Sequence, residues 1–170
     1  MMQDPRVILS ELDAVRAETL RRLESLTQVQ LDARPEPTPR NSGAWSLGEL
    51  FMHIAGDEIY LRELIARPLL EGVLPPEGVG FVPPPPAAGL PKDVIAFWFQ
   101  RARAETRRLL LTWPADADLN ARHDGGLVAV FGGAPRNALE WLESYGGHEA
   151  FHHRQIDAVR QDLSSLEAHR

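Results

Sequence analysis

The chain has 170 residues, 44% hydrophobic and 25% charged, with a formal net charge of -6 and no cysteine. Its length fits a single domain over residues 1–170 with a substantial core, and its composition is ordinary for a globular protein. The lack of cysteine excludes disulfides, thiolate zinc sites and a protein-borne thiol nucleophile, and the acidic balance, with arginines interleaved among acids, argues against a nucleic-acid partner.

The N-terminal stretch MMQDPRVILSELDAV carries acids within its apolar run, so no signal peptide is read. No stretch approaches the ~18 to 20 apolar residues that span a bilayer, and the default expectation is a cytoplasmic protein with no membrane partner. Helical periodicity first appears over residues 5–31, with Ile8, Leu12, Val15, Leu23 and Leu26 on one stripe, before the Pro-rich run ARPEPTPRNSG ends it. A second helix opens at Ser46, where Glu49 three residues on gives the capping-box form, and runs to Ala66 before Pro68.

Residues 67–89 then read as an irregular stretch in which Pro83 to Pro86 form an extended surface strap. The third helix starts near Pro91, with Val94, Phe97, Trp98, Ala102, Glu105 and Leu109 along it, and stops before Pro114. Residues 116–133 read as a loop with a short strand at 127–131, and the fourth helix runs from Pro135 to Leu166. The simplest architecture is all-α, an up-down four-helix bundle with long connections after the second and third helices.

On the fourth helix, Ala138, Trp141, Tyr145, His148, His152, Gln155, Val159 and Leu166 follow an alternating three-and-four spacing, which is the seam facing a bundle core. The second helix repeats it with Leu50, His53, Asp57, Tyr60 and Leu64. Imidazoles and an amide in mid-core are costly, since each unpaired buried polar group costs about 1 to 3 kcal/mol. One divalent ion would satisfy His53, His148 and His152 together. A spacing of four puts the latter two on one face, and three protein ligands leave a position for water or substrate, the layout of a catalytic site.

Asp57, one turn after His53, can accept from that ring, and Gln155 can orient His152 or touch substrate; Tyr145 on the same seam joins them as a supporting or substrate-contacting candidate. Gly146 and Gly147 cost helix stability and point to close approach of another segment or to access to the metal. His123, His153 and His169 fall off the seam and read as surface residues.

Two short motifs overlap here. His148-Glu149-Ala150-Phe151-His152 matches H-E-x-x-H, in which the glutamate is a peptidase's general base. Gln155 and Ala158 stand where a metzincin has its glycine and third histidine, so a zinc hydrolase is the weaker reading. The E-x-x-H half-motif of di-iron bundles needs two copies, and one is present.

Trp45, Ser46, Glu49 and His53 at the start of the second helix, together with His148, His152, Gln155 and Ile156 late in the chain, resemble the DinB/YfiT-like metal-dependent bundles over nearly the whole length. These are unrelated to the DNA polymerase that shares the name. The family usually ends close to H-R-G-Q after its two histidines, where this chain has His152-His153-Arg154-Gln155. The resemblance implies a zinc or nickel ion on the three histidines, a homodimer, and an enzyme that transfers a low-molecular-weight thiol of the bacillithiol, mycothiol or glutathione type to an electrophilic small molecule. With no cysteine in the chain, the thiol must come from such a cofactor. Glu149 is the candidate to take the released proton, and residues 67–89 and 116–133 would shape the pocket mouth. The competing class is a non-enzymatic metal-binding or stress-related interaction protein.

Overall fold

A computed structural model describes residues 4–39, 41–76, 87–113, 115–123 and 134–168. Helix α1 (Pro5–Glu24) starts on Asp4, whose carboxylate accepts from the Arg6 amide at 2.9 Å, with Pro5 in its first turn. Its inner stripe is Ile8, Leu12, Arg16, Thr19 and Leu23, so two polar residues occupy the middle of the apolar face. The helix expected over 5–31 is divided. Thr27 and Gln30 form a second capping box that starts a separate short helix, α2 (Gln28–Asp32).

Helix α3 (Leu47–Tyr60) begins on the Ser46–Glu49 capping box as expected, with Glu49 N donating to Ser46 Oγ at 3.2 Å and Ser46 N to Glu49 Oε2 at 2.9 Å. It does not stop before Pro68. A π-helical turn, Leu61–Ala66, leads into α4 (Arg67–Leu70), so the rod continues through the proline. Proline removes one donor and crowds the preceding turn of an α-helix, and here the turn that precedes it is the wider π form. Leu64, expected on the inner seam, is 38% exposed on that turn.

Helix α5 (Lys92–Thr112) buries Ile95, Phe99, Ala102, Arg103, Thr106, Leu109 and Leu110. The expected stripe through Phe97 and Trp98 is rotated by about one residue, and those two rings lie exposed. Apolar pattern alone misplaces this face because Arg103 and Thr106 sit at its centre. Helix α6 (Ala138–Ala168) begins three residues later than expected, on a capping box in which Glu140 N donates to Asn137 Oδ1 and Asn137 N to Glu140 Oε2, both at 2.9 Å. The proline strap at 83–86 and the strand at 127–131 lie outside the described residues.

Among the described residues the fold is all-α, with isolated bridges at Thr38–Asn41 and His123–Arg136. Helix α1 packs on α5 and α6, and α3 packs on the same two. Arg16 meets Glu149 and Arg22 meets Asp157, so α1 and α6 run parallel. Asp57 meets His148 while His53 meets His152 edge-on, so α3 and α6 run antiparallel. Phe51 against Phe99 and Glu58 against Arg103 make α3 and α5 parallel. The bundle order is therefore up, down, down, up rather than simple alternation.

Both helical glycines of α6 lie where α1 crosses it, but only one is constrained: a Cβ on Gly146 would sit 3.2 Å from Leu12 Cδ2, whereas one on Gly147 meets nothing within 4 Å. A mid-helix glycine costs about 0.5–1 kcal/mol relative to alanine. Gly147→Ala should therefore raise stability by about that amount in urea unfolding, while Gly146→Ala gains less or loses. Equal gains at both positions would contradict this packing.

Candidate metal centre

His53 lies one turn before Asp57 on α3, and His148 one turn before His152 on α6. Because the two helices are antiparallel, the four side chains converge. One ligand atom from each of His53, Asp57, His148 and His152 falls within a set whose members are all within 4.8 Å of one another. His148 Nε2 is 2.6 Å from Asp57 Oδ2 and 3.1 Å from His152 Nε2, and His53 Nε2 is 3.2 Å from the same Asp57 oxygen. The rings of His53 and His152 meet edge-on at 4.9 Å, and Trp45 covers His53 at 5.0 Å. His53 and His152 are each only 4% exposed.

The donor set fits a divalent cation. Two nitrogens each about 2.0–2.1 Å from a tetrahedral zinc lie about 3.3 Å apart, close to the separation of His148 Nε2 and His152 Nε2. His152 Nδ1 donates to Gln155 Oε1 at 2.8 Å, which fixes the tautomer and leaves the Nε2 lone pair facing the cluster. The single proton that His148 Nε2 can carry cannot point well at both Asp57 and His152, whereas a cation would be attractive to all the donors at once. Burial, reinforced by His148 and His53, holds His152 down at about 3. Burial likewise lowers His53, with His148 adding to it and Asp57 opposing. Neutral imidazoles are the form that binds metal.

Of the supporting candidates, Gln155 is at His152 as expected, and Asp57 does more than back His53, because its carboxylate belongs to the donor set. Tyr145 and Glu149 lie elsewhere. The Tyr145 hydroxyl is buried, donates to Ile54 O at 2.8 Å and accepts from Arg16 Nη2 at 3.0 Å. Glu149 is fully buried and turned about a quarter of the helix circumference from His148. Its oxygens accept from Arg16 Nε at 2.8 Å, Arg16 Nη2 at 3.1 Å and the Thr19 hydroxyl at 2.5 Å. A carboxylate so engaged does not face the histidines, which corrects its reading as proton acceptor and removes the general base from the H-E-x-x-H hydrolase reading.

His153, expected on the surface, is instead 8% exposed with Nε2 2.8 Å from the Thr19 hydroxyl. His123 is half-buried, and its carbonyl accepts from Trp141 Nε1 at 2.9 Å. His169 lies outside the described residues. The buried polar group made by Arg16, Thr19, Glu58, Arg103, Glu149 and His153 was not foreseen from sequence. Its signal was there: polar residues at helical spacing within apolar stripes, as in Leu12, Arg16, Thr19 and Leu23.

His152, at about 3 in the fold against 6.5 when free, makes the metal-free protein acid-sensitive. The unfolded chain binds more protons between those values, so this stability is present above 6.5 and is lost as pH falls, by up to about 1.4 kcal/mol per unit. The thermal midpoint of the metal-free protein should drop from pH 7 to pH 5, with a shallower drop in His152→Asn. Parallel pH profiles for the two proteins would contradict the buried, neutral state of this ring.

A family model described as the DinB superfamily matches residues 11–156. No curated protein and no solved structure gives a significant match. The matched span runs from α1 to Ile156 and takes in all four clustered side chains, and the chain belongs to the DinB superfamily.

Proposed function

We propose that this chain is a divalent-metal-dependent enzyme that transfers a low-molecular-weight thiol to an electrophilic small molecule, with zinc or nickel as its ion. The observation that carries the reading is the convergence of three imidazole nitrogens and one carboxylate oxygen within 4.8 Å, in a chain with no cysteine of its own. A bound divalent ion would supply Lewis acidity, bringing a thiol's proton loss into the neutral range.

The chain's residues divide the remaining work. His53, His148 and His152 bind, Gln155 orients His152 through its Nδ1–H, and Trp45 shields His53 from water. Asp57 Oδ2, within 3.2 Å of two of the imidazole nitrogens, takes the thiol proton in place of Glu149. A groove of about 550 Å³ is lined by Gln155, Phe151, Arg154, Asp157 and Ala158 among others. It offers an exposed ring for an apolar electrophile and a guanidinium for the carboxylates that such thiols carry. No described helix is long and apolar enough to cross a membrane.

The fourth donor favours one other reading. If Asp57 closes the coordination set, the ion is structural, because catalytic sites keep an open position. Asp57→Asn separates the two. A proton acceptor leaves metal affinity near wild type and lowers turnover, whereas a closing ligand lowers affinity.

Purified untagged protein supplied with zinc or nickel should hold about one ion per chain by inductively coupled plasma mass spectrometry, and His148→Ala should lose it with helical circular dichroism retained. Incubation with bacillithiol, mycothiol or glutathione and a model electrophile should then give metal-dependent S-conjugates by mass spectrometry. An ion-free wild type would sink the metal centre, and a metal-loaded protein that forms no conjugate with any of the three thiols would leave the structural reading.

A further inference from the structure

Asp57 and Glu58 are consecutive on α3, and His148 and Glu149 are consecutive on α6. Consecutive helical residues point about 100° apart, so the two helices meet twice at one level. On one side Asp57 Oδ2 faces His148 Nε2 at 2.6 Å. On the other, Glu58 and Glu149 share Arg16, whose Nη2 donates to Glu58 Oε2 at 2.6 Å and to Glu149 Oε2 at 3.1 Å. Arg103 spans the same carboxylates, with Nε 2.8 Å from Glu58 Oε1 and Nη2 3.5 Å from Glu149 Oε2. Two guanidiniums and two carboxylates thus balance in the bundle interior, each side chain no more than 7% exposed.

The same pattern extends to every clustered side chain. Ile54 follows His53, and its carbonyl accepts from the Tyr145 hydroxyl that also receives Arg16 Nη2. His153 follows His152, and its Nε2 meets the Thr19 hydroxyl that donates to Glu149. Arg16 further donates through Nη1 to Phe99 O at 2.7 Å, tying α5 to the group. Each of the four donors is therefore followed in sequence by a residue held, directly or through one hydroxyl, by Arg16 and its carboxylates.

Without Arg16, only Arg103 would stand between Glu58 and Glu149, 3.5 Å from the latter, and the hydrogen bonds that tie Glu58, Glu149 and Tyr145 to one guanidinium would be lost, loosening α3 against α6 at the level where Asp57 and His148 meet. We propose that Arg16 is a positioning residue of the metal centre, setting the spacing of His53, Asp57, His148 and His152 through the residue that follows each of them; this rests on the metal-centre reading above.

The test uses cobalt(II), whose visible bands report ligand geometry, with affinity measured by chelator competition. The charge-balanced double variant Arg16→Met/Glu149→Gln removes one cation and one carboxylate together. Arg16→Lys keeps the charge but cannot reach Glu58, Glu149 and Tyr145 at once. Leu163→Ala, in the core of α6 away from the group, is the control for general destabilisation.

The double variant, if folded, should bind cobalt about 10- to 100-fold more weakly with shifted visible bands, and Arg16→Lys should be weakened to a lesser extent with a similar shift. Leu163→Ala should bind like wild type. Wild-type affinity and spectrum in Arg16→Lys, or in a folded double variant, would overturn the inference and leave the metal centre standing. So would an equal loss in Leu163→Ala. A wild-type protein that takes up no cobalt would overturn both.

Discussion

The contact between α3 and α6 at the level of Asp57, Glu58, His148 and Glu149 is the constraint on which the rest of the molecule depends. A polar group in the middle of a helical bundle must be partnered there, because water cannot reach it and an unpaired charge costs far more than an unpaired amide. The four helices meet this demand with two chemistries set back to back. On one side neutral rings and one carboxylate converge on a point; on the other, guanidiniums and carboxylates neutralise one another. Breaking a buried ion pair by removing one partner costs about 3–5 kcal/mol, although exchanging a whole pair for apolar groups is often neutral. A stable core alone would not require this arrangement, which is one reason to connect it with the donors beside it.

Electrostatics keep the two sides distinct. Burial opposes the charge on Arg16, but Tyr145, Glu58 and Glu149 outweigh it and hold the guanidinium firmly protonated. Burial would also raise Glu58, and Arg16 with Arg103 overcomes it, so this carboxyl stays below its ordinary value. His152 faces the opposite balance: burial and two neighbouring imidazoles all disfavour its charge, and Gln155 and Asp57 do not restore it. The result is fixed charge where charge is structural and lone pairs where a cation would sit. The ionic side also accounts for the glutamate of the H-E-x-x-H motif, which Arg16 and Thr19 engage. The glutamate of that motif belongs to the bundle core.

Much of this was legible in the chain. Caps are local, so Ser46 with Glu49 announced the start of α3, and spacing by four placed His148 and His152 on one face. The third histidine followed because the same seam logic held on α3. What failed depended on neighbours. Arg103 and Thr106 occupy the buried face of α5, so apolar spacing alone turned that helix by one residue and put Phe97 and Trp98 inside. Glu149 and His153 read as surface residues or catalytic accessories because their partners, Arg16 and Thr19, are over 130 positions away in sequence. Pro68 read as a stop because sequence gives no warning of the π turn before it. Helix direction, too, shows only in contacts between helices, which periodicity does not record.

The most direct test of the account is X-ray absorption at the zinc K-edge of the loaded protein, since it reports ligand type and number around the ion itself. The account predicts a light-atom shell at about 2.0–2.1 Å with outer-shell scattering from three imidazoles. A spectrum dominated by water or carboxylate oxygen, with one imidazole or none, would contradict it.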